Sequence, residues 1–512
     1  MQLALIFAFA VLWRVLMLFH YKMIDTDAAY YGAVARFFAE GHWERGLDPV
    51  WPPFYPWMMS IPVRLGLSLE ASGILVSLLA SAGCVVCCYF LARVIAGPRV
   101  GIMAAVVAAV HPRLVIISQS LLTEALYLFL TGTALALFCQ SFQVVCRDVN
   151  GRASIGIFLT GIVLACAFLT RPEAVIFFVL LLAVTAGRAI LQLARRQTLR
   201  MFLVPLLLVA GFLVPSMPYL YDVAKTEGRW IIGEKGALNF YLTYRDAYKA
   251  EGIQVQPSDY ATITGASGER KPGNYHVGEF IRRRPGMVVR RTLGNLPSAI
   301  LNKIPSLMYW PLMLLAISGI AYRRGVPRSM YETLFGVWIL VIAVAISPLF
   351  LMRRFFAAAL TPLIVWSAIG LEELRYRTSR RVFAWSAVVA VVGFCAYTNY
   401  SLGKRSWPVL YKEAGTWLKS NAANSVVLTG RKPEVSFYAG SEFRPLEVQN
   451  IEELEEYLQS ERITHLVAED YIMPSTHPDL AYLIDPQEAP VWLRPVFSAR
   501  KDGHSLVLYE YR

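Results

Sequence analysis

Runs of about twenty apolar residues follow one another along the first 400 positions, parted by short polar stretches. A run of that length crosses a bilayer core as a helix. The pattern predicts about eleven spans, at roughly 3–21, 69–91, 100–117, 121–143, 154–170, 174–191, 201–221, 298–321, 330–351, 355–371 and 382–400. Three longer stretches interrupt it: 22–68, 222–297 and 401–512. The last alternates strand-like runs ("SVVLTG", "THLVAED", "HSLVLYEY") with the charged helical run "IEELEEYLQSERI", which predicts a small soluble α/β domain. The fold class expected is a polytopic α-helical membrane protein, with a membrane domain over 1–400 and this domain over 401–512.

Composition agrees. Of 512 residues 56% are hydrophobic and 17% charged, against about 25% charged in soluble domains. The first run, "LALIFAFAVLWRVLMLFHY", lacks a basic start and a small-x-small cleavage site, so it is expected to be a retained span. The net charge of +13 does not indicate nucleic acid, because the arginines cluster in short loops between apolar runs. Those loops hold Arg93 and Arg99; Arg147 and Arg152; Arg188, Arg195, Arg196 and Arg200; Arg323, Arg324 and Arg328; and Arg375, Arg377, Arg380 and Arg381. The positive-inside rule assigns them to the cytoplasm. Residues 22–68, 222–297 and 401–512 are then expected on the opposite, outer side. All seven cysteines lie in or beside apolar runs; "CVVCC" reads as packing sulfur, and the polar segments hold no disulfide framework.

Charges at the outer membrane edge are the informative ones, because the positive-inside rule does not explain them. Arg353 and Arg354, in "PLFLMRRFFAAALTP", lie between the ninth and tenth spans. A charge at membrane depth costs at least ~2.5 kcal/mol at the centre. Either both snorkel to headgroups, or they bind a lipid-linked phosphate, whose oxygens a guanidinium matches bidentately. "LACAFLTRPEA" places Arg171 and Glu173 about a proline that suits the first turn of the next helix, where Glu173 gains from the helix dipole. Glu124 opens the fourth span near the same surface, and His111 with Pro112 marks a kink rather than a metal ligand. In "DAAYYGAVARFFAEG", Tyr30, Tyr31, Val34, Phe37 and Phe38 recur at helical spacing, predicting an amphipathic helix lying along the membrane. Asp25 and Asp27 precede it; capping accounts for one acid and leaves the other for chemistry. "DPVWPPFYPWMM" reads as a rigid, aromatic surface over the bilayer.

The ordered set "DAAYYGAVARFFAEG", "PPFYPWMM", "QSLLTEALYLFL", "LACAFLTRPEA" and "RRFFAAALTPLIVWSAIG" resembles the bacterial branch of the GT-C glycosyltransferases, over about residues 1–400. That branch includes the protein mannosyltransferase-like and aminoarabinose-transferase-like proteins. The resemblance implies an enzyme that takes a sugar from a polyprenyl phosphate to an acceptor on the non-cytoplasmic face. The family motif in the first outer loop is Asp, then Glu, then a tyrosine a few residues on. Asp27 and Tyr31 match it, whereas the glutamate position is Ala28; Asp25 is outside the pattern. Glu124 corresponds to the acid that opens the fourth span in relatives.

The roles then expected are Asp27 as the base that deprotonates an acceptor hydroxyl and Arg353 or Arg354 as clamp for the leaving phosphate. Asp25, Tyr31, Glu124, Arg171 and Glu173 are expected to contact substrate. One displacement would invert the anomeric centre. The basic run Arg282, Arg283, Arg284, Arg290 and Arg291 suits either the phosphate or anionic headgroups. The branch implies no metal or other cofactor, and the sparse acids agree. A transporter for lipid-linked sugars is disfavoured by the lack of a sequence repeat; a non-catalytic scaffold is kept open by Ala28. No G-x-S-x-G or H-E-x-x-H run suggests a hydrolase.

Overall fold

The computed structural model describes residues 1–21, 23–146, 151–194, 199–255, 273–321, 329–377, 381–401, 408–422, 425–430 and 433–512. Among these, seven helices are long and apolar enough to cross a membrane, or nine if two bent pairs each count as one span. The seven are Gln2–His20, Leu69–Ala96, Glu124–Val145, Gly151–Phe168, Ala174–Gln192, Leu203–Lys225 and Arg353–Tyr376. The expected span 330–351 is a shorter apolar helix, Tyr331–Ile346, and a helix over Arg381–Ser401 covers 382–400. The protein is a multi-span membrane protein. Arg147, Arg195, Arg196, Arg323, Arg324, Arg328 and Arg380, on which much of the charge asymmetry rests, lie outside the described residues.

The two bent pairs follow from proline. Pro98–Val110 and Pro112–Ser118 meet at 52°. Pro112 offers no N–H to the carbonyl of Ala108, and in a bilayer a freed carbonyl needs another donor. Arg14, fully buried in the first span, supplies it. Its guanidinium donates to the carbonyls of Ala108 at 3.3 Å and Ala109 at 3.0 Å, and to Ser81 Oγ at 2.9 Å. Asn399 Nδ2 donates to the carbonyl of Val110 at 3.0 Å, and His111 Nδ1 accepts from the Arg113 N–H. The kink expected at His111–Pro112 is therefore present, held by two distant side chains. The span expected as continuous over 298–321 differs: it turns through 112° at Tyr309, whose φ of +59° ends one helix before Trp310-Pro311 opens the next.

Beyond the spans, five strands form one sheet: β1 Val426–Thr429, β2 Glu442–Pro445, β3 His465–Glu469, β4 Leu493–Lys501 and β5 His504–Tyr511, in the order β2-β1-β3-β5-β4. The first three strands are parallel, and β5 pairs antiparallel with β3 and β4. Asp502-Gly503, both at positive φ, closes the β4–β5 hairpin, as an Asp-Gly pair suits. This C-terminal unit is fastened to the membrane helices through Glu70. The Glu70 carboxylate accepts from Tyr21 at 2.6 Å, Tyr438 at 2.7 Å and Lys412 at 3.0 Å. Thr26 Oγ1 adds a bond to Glu434 at 2.8 Å.

The helix Thr26–Glu40 consequently lies between two bodies rather than at a free membrane surface. Tyr31, Val34 and Phe38 join the main core. Across the helix, Gly32 faces Phe437, where an added Cβ would stand 2.3 Å from the ring. The helix expected from its aromatic spacing is present; the covering on its second side was not foreseen.

Candidate active site

Asp27 sits in the first turn of Thr26–Glu40, where the helix dipole favours its charge. Asp25 holds the N-cap position of that helix but is exposed and makes no capping bond. The two acids therefore part company, and only Asp27 points into a cluster.

Arg354 Nη1 stands 3.0 Å from Asp27 Oδ2. The arginine opens the tight helical stretch Arg353–Ala359. The loop before it is held by Tyr244 on the carbonyl of Pro348 at 2.9 Å and by Asn295 on that of Ser347 at 2.8 Å. Its neighbour Arg353 is exposed and forms no ion pair among the described residues. The expected base and the expected clamp are thus partners of each other in the resting protein.

Lys235 completes the cation set and was not singled out from the sequence. It begins the helix Lys235–Ala250, donates to Tyr31 Oη at 3.0 Å, and lies 4.0 Å above the Trp51 ring. Two local features deliver it. Gly233 adopts φ +153°, and a Cβ there would meet the carbonyl of Pro49 at 3.3 Å and the Pro172 ring at 3.4 Å. Trp51 is set by Asp48, whose Oδ1 accepts from the N–H groups of Val50 and Trp51 at 2.7 and 2.9 Å. The Trp51 ring in turn stacks on Tyr30 at 4.8 Å. The rigid aromatic surface expected of "DPVWPPFYPWMM" takes this form.

Arg171, Glu173 and Glu124 form the other wall. Arg171 lies 3.1 Å from Glu173 and 3.5 Å from Glu124, with its guanidinium over the rings of Tyr127 at 5.5 Å and Phe355 at 5.8 Å. The proline explanation of "TRPE" was therefore incomplete, since Arg171 pairs with both Glu173 and Glu124.

The electrostatics follow from this packing. Burial alone would raise the pKa of Asp27, but Lys235, then Arg354 and Arg171, overcome it and hold the carboxyl below its ordinary range. Glu173 is likewise lowered, against burial, by Arg171 and Lys235. Burial opposes the Arg171 charge, yet Glu173 and Glu124 raise its pKa. Three buried polar atoms in the same place have no hydrogen-bond partner: Glu124 Oε2, Tyr127 Oη and Arg354 Nε. Native interiors seldom leave such atoms unpaired, and a substrate-binding hollow is where they are expected. Beside Lys235 and Glu173 a small, mostly apolar hollow is walled by Pro172, Ile346, Leu349 and Phe355.

Asp27, Tyr31, Glu124, Arg171, Glu173 and Arg354 are thus brought together, with Lys235 and Tyr127 added; Asp25 and Arg353 are not. The basic run stands apart. Arg283 pairs with Glu279, Arg284 with Glu251, and Arg291 lies over the Tyr244 ring. Ala28 is fully buried against the core, so the side chain at the family's glutamate position faces packing here.

Residues 50–221, a third of the chain, match the family model described as dolichyl-phosphate-mannose-protein mannosyltransferase. The structure is similar to ArnT from Cupriavidus metallidurans bound to undecaprenyl phosphate, with a TM-score of 0.61 and 15% identity over 99% of this chain and 97% of that one. It is also similar to the Archaeoglobus fulgidus oligosaccharyltransferase tethered with an acceptor peptide, with a TM-score of 0.53 and 13% identity over 91% and 69% of the two chains. The oligosaccharyltransferase AglB from the same organism, in complex with an inhibitory peptide and a dolichol-phosphate, gives 0.51 and 13% over 98% and 73%. No curated protein matches the sequence. The fold is that of the GT-C superfamily.

Proposed function

We propose that this GT-C chain is an inverting glycosyltransferase that moves a sugar from a polyprenyl-phosphate donor to a hydroxyl of a protein, lipid or glycan acceptor. The observation that carries the reading is the grouping of Asp27, Arg354, Lys235 and Arg171 around three unpartnered buried polar atoms. The ArnT structure bound to undecaprenyl phosphate and the AglB structure with dolichol-phosphate support the donor class. The arginine-rich short loops support a bacterial inner-membrane protein whose cluster and C-terminal domain, residues 401–512, face the periplasm.

The geometry gives each group a role. The acceptor hydroxyl loses its proton to Asp27 as its oxygen bonds to the anomeric carbon. The bond from that carbon to the phosphate oxygen breaks in the same step, and the lipid phosphate leaves with the electron pair. Arg354 and Lys235 neutralise the growing charge. Because Arg354 rests on Asp27, the donor phosphate must draw it away, which frees the carboxylate and raises its basicity only when donor is bound. Arg171 holds Glu124 and Glu173 in place, and the apolar hollow takes the first part of the isoprenoid chain. With three cations in the cluster, the proposed chemistry uses no metal.

The test is binding and stereochemistry together. Undecaprenyl phosphate should bind the purified protein and lose affinity in Arg354→Gln, and the transferred sugar should show the anomeric configuration opposite to the donor's. Retention of configuration would exclude a single displacement.

A further inference from the structure

A second concave site lies on the far side of the Thr26–Glu40 helix, where it meets the C-terminal unit. Nine residues separate Arg36 from Asp27, which is two and a half helical turns: ~14 Å along the axis and the opposite face. The crevice is partly open to solvent and holds a cavity of about 70 Å³, smaller than the ~300–1,000 Å³ of pockets that enclose a whole ligand, so a ligand seated here keeps one side in solvent. Phe37 forms one wall, and Phe437 and Phe443 form the other.

Its polar groups are few and unpaired. Ser436 is 3% exposed, and its Oγ has no hydrogen-bond partner; the buried Oγ of Ser441 has none either. Both serines line the crevice, and so does Arg36. Arg36 is half-buried and has neither an ion pair nor a hydrogen bond among the described residues. No carboxylate lines the space among the described residues. Arg45, 5.7 Å from the Phe37 ring, adds positive charge nearby. Buried hydroxyls without partners cost free energy, and an unpaired guanidinium beside them calls for an anion.

The walls are also fixed in place. Glu70 ties Tyr21, Tyr438 and Lys412 together, and the absence of a side chain at Gly32 lets Phe437 seat against the helix. The crevice is therefore present before any ligand arrives.

We propose that this crevice binds an acidic sugar ring of a glycan acceptor: carboxylate on Arg36, ring hydroxyls on Ser436 and Ser441, and apolar ring faces against the phenylalanines. The inference rests on the glycosyltransferase reading and deepens it by naming the acceptor class. It also gives the C-terminal unit a task, since half the site belongs to it.

The test uses the full chain in detergent without donor. Saturation-transfer NMR with glucuronate should show transfer to its ring protons, and glucose should bind more weakly. Arg36→Gln should lose affinity for glucuronate by ~10-fold or more, as expected for a hydrogen bond to a charged group, and Ser436→Ala should weaken it with an unchanged melting temperature. Equal binding of glucose and glucuronate, full retention in Arg36→Gln, or competition by inorganic phosphate with no contact to ring protons would each overturn the proposal. Undecaprenyl-phosphate binding is measured on the same sample. Loss of that binding alone bears on the donor reading, and loss of glucuronate binding alone bears on the crevice.

Discussion

Replacing Arg354 by glutamine keeps a polar side chain of moderate length at the site and removes only the charge beside Asp27. The two charged groups stand 3.0 Å apart, with 30% and 27% of their side-chain surfaces exposed. Two unit charges about 3 Å apart at an effective dielectric of about 20 interact by ~5.5 kcal/mol, an upper bound on what the arginine contributes to keeping the carboxyl ionised. Solvent screening reduces this, and Lys235 and Arg171 continue to act on the carboxylate. An upward shift is therefore expected, smaller than the full pair interaction would give. The sign is fixed: losing a cation favours the protonated acid, so the Asp27 pKa rises. A base works only when ionised, so the acidic limb of kcat/KM, which reports the free enzyme, must move to higher pH. Donor consumption is followed from roughly pH 3 to 8, a range bracketing the ordinary carboxylate pKa, with each profile scaled to its own plateau to separate the shift from weaker donor binding. An acidic limb that stays put, or moves down, would refute the assignment of Asp27 as the group that limits activity at low pH.

Lys235→Met should weaken undecaprenyl-phosphate binding by ~10–100-fold, the loss of one charged hydrogen bond; unchanged affinity would remove Lys235 from the phosphate clamp. Gly32→Ala forces a methyl group to within 2.3 Å of the Phe437 ring, at a cost of ~1–3 kcal/mol. Its melting temperature should fall and be restored in part by Phe437→Ala; no change would mean that the two bodies are not pressed together there. Arg14→Leu strips donors from the carbonyls of Ala108 and Ala109, which should cost at least ~2 kcal/mol, read as a lower melting temperature in detergent. Chelation with EDTA should leave turnover unchanged; its loss, with recovery on adding a divalent cation, would overturn the metal-free mechanism.

Much of the molecule was legible because its patterns are local. The eleven apolar runs predicted helices, and Pro112 predicted the break that Arg14 and Asn399 hold. Asp27, Tyr31, Glu124, Arg171, Glu173 and Arg354 could be singled out because a charge or a matched motif at the outer membrane edge demands a reason. Lys235 could not, because one lysine in a polar segment is unremarkable until Gly233 folds it over Trp51. The one available signal was the close spacing of Gly233 and Lys235 in "IIGEKG". Residue type alone did not part Asp25 from Asp27; the motif match favoured Asp27, and two residues along one helix end separate solvent from the Arg354 guanidinium. The turn at Tyr309 was missed because hydropathy carries no direction: 298–321 is apolar enough throughout, and only the Trp310-Pro311 pair hinted at a new helix start. β2 and β4 were missed for another reason. Their sequences, "EFRP" and "LRPVFSARK", carry charge and proline suited to the two edges of the sheet.

The most direct measurement offers a panel of polyprenyl-phosphate sugars to the purified protein, with a membrane extract as acceptor source and Asp27→Asn alongside. The wild type is expected to consume one donor, its sugar to appear on an acceptor, and Asp27→Asn to bind the same donor and leave it intact. Equal turnover by the two proteins would contradict the role of Asp27. A wild type that binds a donor but never turns it over would contradict the glycosyltransferase itself.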